Sequence, residues 1–314
     1  MGGVALRVLA AGLVDYAGLF PPAGLDMRDA VVRYSVYKRG RAAWMLGRFV
    51  VPAARLAEFE AEARPYLPSG EHAVPWRLSA LSGPRANPGL STDLAAIGEF
   101  NARHAAKDGP ARAVVDTVEL RVSLPSEVHE AARVIGGAFQ GVYELAERST
   151  AFPDMLAAIG SVGGVAKMRT GGVVPEAIPP LETVTTFVWE SARRRVPFKV
   201  TAGLHHPVRG EQRITYDPAS PTAVMHGFLN VFVAAAAAWT LAGSSDDRGR
   251  ATVAGILSET SPAAFVFDDG GVAWRDLRVG IASLEACRGQ FAMAFGSCSF
   301  EEPVSELETL GYLR

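Results

Sequence analysis

Eight short apolar runs recur along this chain, most of them followed by a stretch of helical periodicity, and that alternation calls for a parallel sheet wrapped by helices. The runs are Gly12–Leu19, Ala43–Val50, Trp76–Leu81, Thr117–Val122, Gly141–Glu147, the two that open at Val165 and Pro197, and Phe291–Cys298. Helix signals fall between them. Asp26 can cap a helix running to Arg39, Pro52 and Pro125 stand where helices open, and Ser91 or Thr92 can cap another after the turn formers Ser82 to Gly89. Eight such units imply a closed barrel rather than an open sheet. No GxGxxG follows the first run, so the dinucleotide-binding alternative lacks its fingerprint. The expected fold class is α/β, a single (β/α)8 TIM barrel over residues 1–314.

The spacing breaks once. More than eighty residues separate the seventh and eighth runs, too many for a bare loop, so an insertion with its own structure is expected over about 210–290. It reads as an alanine-rich helix (Pro221–Leu241), a second helix (Arg250–Glu259), a hairpin near Phe265–Trp274 turning on Asp269-Gly270-Gly271, and a helix Arg275–Arg288. Such an insertion suits a lid or an oligomer contact over the catalytic end. The apolar stretch Val224–Gly243 carries His226 and Asn230 and owes much of its apolar character to alanine, which favours a packed helix over a membrane span and points to a homo-oligomer.

Composition excludes several classes. The net charge is −2, and the longest basic run is Arg193-Arg194-Arg195, so no nucleic-acid footprint is present. Two cysteines, Cys287 and Cys298, allow neither a disulfide framework nor a four-cysteine zinc site and suit a reducing cytoplasm. The N-terminus carries Asp15 inside its apolar run and makes a poor signal peptide.

Barrel enzymes carry their chemistry at the C-terminal ends of strands, and side chains alternate along a strand. Lys167 and Arg169 then share a face of the sixth run, Lys199, Thr201, Gly203 and His205 a face of the seventh, and Glu119 and Arg121 a face of the fourth. Glu144 and Glu147 fall on opposite faces, so at most one points inward. Charged groups inside a barrel are costly unless paired. Lys167 and Lys199 occupy equivalent places on runs expected to be neighbours, about 4.8 Å apart. Two ammonium groups so close repel, which lowers the pKa of one and yields a nucleophilic amine. Arg169 would act in the same sense and hold a carboxylate or phosphate. Asp15 and Tyr16, at the end of the first run, are candidates for proton transfer, and Ser297, before Cys298, for offering backbone N–H groups to an anion. Adjacent His205 and His206 point opposite ways on a strand, so only one reaches the mouth unless the chain turns there, a turn that Pro207 favours.

The runs Val165-Ala166-Lys167-Met168-Arg169-Thr170-Gly171-Gly172 and Pro197-Phe198-Lys199-Val200-Thr201-Ala202-Gly203-Leu204-His205-His206-Pro207-Val208-Arg209 resemble the deoxyribose-phosphate aldolase group of class I aldolases. The resemblance covers about forty-five residues; the chain is otherwise similar to bacterial barrel proteins without assigned activity. It implies that Lys167 is the Schiff-base lysine and Lys199 its pKa-lowering partner. It also implies that Gly171, Gly172 and Gly203 form anion-binding turns, that Arg209 is a second anion contact, and that Glu119 stands for the family's strand-four aspartate. Met168-Arg169 replaces small residues of that family, and His205-His206 interrupts its glycine turn.

The leading expectation is a lyase of class I aldolase type acting on a small anionic carbonyl compound, an oxo-acid or sugar-phosphate-like molecule. Lys167, Lys199, Glu119, Glu144 and His205 would be its catalytic set, with Arg169, Gly171, Gly172, Thr201, Gly203, His206, Arg209, Arg121, Asp15 and Ser297 binding substrate. It needs no cofactor and no metal, and its partner is a small molecule, not nucleic acid or a membrane. The alternatives are an anion-binding transferase or decarboxylase without an imine, phosphoribosyltransferase-like, and a metal-dependent hydrolase using His205 or His206.

Overall fold

The computed structural model describes residues 3–70, 72–83, 89–105, 112–146, 152–243 and 247–313. Glu147 and most of the loop after the third strand, residues 84–88, lie outside them.

The strands are β1 (Val14–Tyr16), β2 (Leu46–Pro52), β3 (Trp76–Leu81), β4 (Ala113–Val122), β5 (Gln140–Leu145), β6 (Val165–Arg169) and β7 (Phe198–Thr201). Then come β8 (Gly210–Arg213), β9 (Thr222–Met225), β10 (Phe265–Asp268), β11 (Gly271–Trp274), β12 (Leu277–Gly280) and β13 (Ala292–Ser297). The first seven and β13 close into one barrel in the order β1-β13-β7-β6-β5-β4-β3-β2. Every barrel pairing is parallel. This is the (β/α)8 barrel that the alternation predicts.

The helices are α1 (Gly3–Ala10), α2 (Met27–Tyr37), α3 (Leu56–Ala63), α4 (Gly89–Ala105), α5 (Pro125–Ile135), α6 (Phe152–Ser161) and α7 (Leu181–Arg193). After β7 come α8 (Phe228–Leu241), α9 (Asp247–Ser258), α10 (Ile281–Gln290) and α11 (Glu301–Thr309). Asp26 caps α2 as its position predicts, its side chain accepting from the Asp29 N–H at 2.8 Å. Tyr16 departs from expectation: its ring packs against Tyr34, Tyr37 and Phe49 in the layer between sheet and helices, so it is a core residue and not a proton donor to the barrel mouth.

The insertion is assembled differently from its sequence pattern. Pro221–Leu241 is not one helix: its start pairs as β9 with β8 in a hairpin, and α8 begins at Phe228. The segment expected to open a helix at Arg275 instead adds β12 to the β10–β11 hairpin. That three-stranded sheet meets α1, beside the strand starts, where the Val4 N–H donates to the Asp269 carboxylate at 3.0 Å. The loop of the β8–β9 hairpin reaches the opposite end, beyond the strand C-termini, where Tyr216 meets Cys298 and Glu302.

Helix α8 is buried from Phe228 to Ala238 against α7, α9, α10 and β13 of its own chain. Small alanine side chains let these helices approach closely, and no second copy is needed to cover them. Its polar residues serve the packing. Asn230 donates to the carbonyls of Ile256 and Glu259, both at 2.8 Å, and accepts from the Arg209 N–H. Among the described residues no helix is long and apolar enough to cross a membrane.

Candidate active site

The register of the barrel aligns the charged residues. Arg121 on β4 lies opposite Glu144 on β5, Glu144 opposite Lys167 on β6, and Lys167 opposite Lys199 on β7. Alternation turns all four inward, and with Glu119, Arg169, Thr201 and His205 they line a cavity of about 420 Å³ at the C-terminal end of the barrel. Leu81, Val50, Phe20, Pro21 and Pro22 complete an apolar side of the same space.

Glu119 stands at the centre of the charge network. Its Oε1 accepts from Lys199 Nζ at 2.7 Å and from Ser79 Oγ at 2.5 Å, while its Oε2 makes a 2.6 Å ion pair with Lys167 Nζ. Lys167 Nζ lies a further 2.7 Å from Glu144 Oε2, and Lys199 Nζ 2.6 Å from Asp15 Oδ2. The other Asp15 oxygen takes the Arg48 N–H at 2.7 Å. Gly47 makes that approach possible, since a Cβ there would collide with Asp15 Oδ1. Arg121 reaches Glu144 at 3.2 Å and Arg169 at 3.9 Å, at the rim. Among the described residues, three carboxylates thus face two lysines and two arginines.

Burial alone would raise the Glu119 carboxyl, but the ammonium groups of Lys167 and Lys199 outweigh it and hold the group well below the usual carboxylate range. Burial likewise opposes Lys167 and Arg169 at Glu144, whose carboxyl also ends below its ordinary value. Burial would lower the Lys199 ammonium, yet Asp15 and Glu119 outweigh burial and hold it above an ordinary lysine. Glu119 stands between the two lysines and takes one Nζ on each oxygen. Lys199 is therefore a fixed cation.

Beyond β7 the chain turns sharply, with positive φ at Ala202 (61°) and Gly203 (76°), and Thr170 Oγ1 ties the turn by donating to the Ala202 carbonyl at 2.7 Å. A Cβ built on Gly171 would lie 2.8 Å from Gly203 Cα, and one on Gly203 the same distance from Gly171 Cα. These glycines let two strand ends touch. Gly172 and Gly203 also line the cavity; Gly171 does not, and acts as a packing contact.

The turn carries His205 over the mouth, and the two histidines diverge. His205 Nδ1 pairs with Glu302 Oε2 at 2.8 Å, and its Nε2 faces Cys298 Sγ at 3.9 Å. Burial opposes its charged form, but hydrogen bonds with Cys298 and Glu302 push the imidazole up to about 9. His206 turns away from the cavity to Glu306 Oε1 at 2.6 Å. Arg209 is likewise displaced: its guanidinium packs 3.1 Å from His226 Nδ1, outside the cavity lining. Ser297 is buried and its hydroxyl accepts from the Ser299 N–H at 3.3 Å, while Gly296 and Cys298 beside it line the cavity. Asp15 sits beneath Lys199, outside the cavity lining, and anchors the lysine. Among the described residues no three His, Cys, Asp or Glu side chains are grouped to hold a metal ion.

Three participants were not singled out in the sequence. Ser79 could have been: it is a hydroxyl on the inward face of an otherwise apolar run, two residues before cavity-lining Leu81. Glu302 and Tyr216 come from α11 and the β8–β9 loop, and nothing local in the chain marks their meeting with His205 and Cys298. Comparisons with protein-family models, curated proteins and solved structures found no match.

Proposed function

We propose that the barrel mouth is the active site of a lyase of class I aldolase type, acting through a Schiff base on Lys167 with a small anionic carbonyl compound. The carrying observation is the pair of inward lysines at one level of the barrel, joined through Glu119 at the base of a cavity sized for a small molecule. Lys167 is the nucleophile because both its partners, Glu119 and Glu144, line the cavity, so a carbonyl compound bound there meets its nitrogen, and the proton it sheds passes to the carbonyl oxygen. Lys199, held from below by Asp15, stays charged and faces the oxygen that gains charge as the amine adds.

In the step itself, the Lys167 nitrogen adds to the carbonyl carbon, and the carbonyl oxygen takes up a proton and later leaves as water with a second, giving the protonated imine. The imine accepts the electron pair of the breaking carbon–carbon bond, while the Glu144 carboxylate takes the proton from the departing hydroxyl. Arg169 and Arg121 at the rim supply the charge for an oxo-acid carboxylate or a phosphate.

The test is borohydride reduction of the purified chain with a panel of small aldehydes and 2-oxo-acids. A covalent mass increase in the wild type and none in Lys167→Arg supports the reading; no increase with any member of the panel overturns it. The complete pairing of both lysines favours a second reading, an anion-binding transferase or decarboxylase without an imine. In that case Lys167→Arg keeps most of the ligand binding, because only charge is required.

A further inference from the structure

Cys298 lies one residue beyond β13, in the cavity wall, at 7% exposure. Its sulfur faces His205 Nε2 at 3.9 Å, and the other ring nitrogen is held by Glu302 at 2.8 Å. Tyr216, from the β8–β9 loop, places its hydroxyl 3.5 Å from the same sulfur and 3.0 Å from Glu302. His205 and Tyr216, from elements distant in sequence, thus converge on one thiol, and the groups have the roles that nucleophilic thiol chemistry uses: a nucleophile, a cation beside it, and an acid that orients that cation. A cysteine that merely fills space has no use for such a line of partners. Cys287, fully buried in α10 and outside the cavity lining, is that ordinary case.

We propose that Cys298, His205 and Glu302 form a second nucleophilic centre in the barrel mouth, which adds reversibly to the carbonyl carbon of a small aldehyde. The Sγ proton leaves to solvent, and the sulfur electron pair forms a carbon–sulfur bond. The carbonyl π pair moves to oxygen, and that oxygen takes a proton from the His205 imidazolium, which solvent reprotonates, giving a hemithioacetal with no oxidant or reductant consumed. Glu302 is a positioning residue: its carboxylate fixes the ring so that Nε2 aims at the sulfur and keeps the ring an imidazolium, in keeping with the value of about 9 to which His205 is pushed. Tyr216 closes the outer side and gives the β8–β9 hairpin a purpose at the site. The centre needs no contribution from Lys167, so it stands or falls separately from the imine.

Alkylation of the full chain with iodoacetamide at neutral pH, followed by peptide mapping, tests the activation. Cys298 is expected to be labelled first and Cys287 only after denaturation. His205→Asn is expected to slow labelling of Cys298 by about 100-fold, because the neighbouring cation that makes a thiol reactive is gone. Glu302→Gln gives an intermediate rate and Glu302→Asp restores most of it; should His205→Asn fail to fold, this pair carries the test. Equal labelling rates in the wild type and these variants, or no labelling of native Cys298, overturn the proposal. Acetaldehyde labelled with carbon-13 at its carbonyl tests the ligand class. A hemithioacetal resonance in the wild type that is lost in Cys298→Ser and kept in Lys167→Met supports it, and no such resonance in the wild type overturns it.

Discussion

Glu119 decides whether two ammonium groups can share the inside of this barrel. Removing its charge leaves Lys167 and Lys199 facing each other with only Glu144 and Asp15 on their far sides. Breaking a buried ion pair by deleting one partner costs about 3–5 kcal/mol. Glu119→Gln is therefore expected to lower unfolding stability in urea by that amount near pH 7. The pH dependence follows from the same pairing. The Glu119 and Glu144 carboxyls drop below their ordinary values on folding, so their contribution is present above an unfolded value of about 4.3 and is lost as pH falls through the folded ones. The urea midpoint should hold above about pH 5 and fall below about pH 4, with a shallower fall in Glu119→Gln. His205 works in the other direction. Its raised value contributes stability fully present below about pH 6.5 and lost as pH rises through about 9, on the order of 3 kcal/mol. Stability measured between those limits should decline in the wild type and stay flat in His205→Asn. Alternation alone places Glu119, Lys167, Lys199 and His205 inward. It does not say that Glu119 separates the lysines, because that depends on how far each side chain reaches across the barrel.

At the scale of elements, β6 and β7 end in turns that touch through Gly171 and Gly203. Gly203→Ala places a Cβ against backbone at a φ of 76°, where an L side chain is strained. The expected cost is about 1–3 kcal/mol, read from the urea midpoint, with weaker capture of any carbonyl ligand because Thr201 and His205 move with the turn. The strands that carry the lysines are legible because short apolar runs end in glycine. The β8–β9 hairpin is not: Gly-Glu-Gln-Arg has no apolar alternation, and β9 runs into the apolar stretch of α8, so a helical pattern masks it. β12 is hidden similarly, since Leu-Arg-Val-Gly lies next to a helix and is held as a strand only by its pairing with β11.

For the whole molecule, eightfold repetition makes the barrel readable from the chain, because each strand–helix unit has only one way to pack against the next. The insertion is harder, since its pieces go to both ends of the barrel according to contacts formed after it closes. Burial of α8 within its own chain also removes the surface from which self-association is inferred. What the fold achieves is an asymmetry between two chemically identical groups: Lys199 is anchored by an acid beneath the cavity, while both acids beside Lys167 are open to it. The most direct test of that asymmetry is peptide mapping of the chain after borohydride reduction with an accepted carbonyl compound. Reduced adduct on Lys167 alone is the predicted result; adduct on Lys199, or shared between the two, would contradict it.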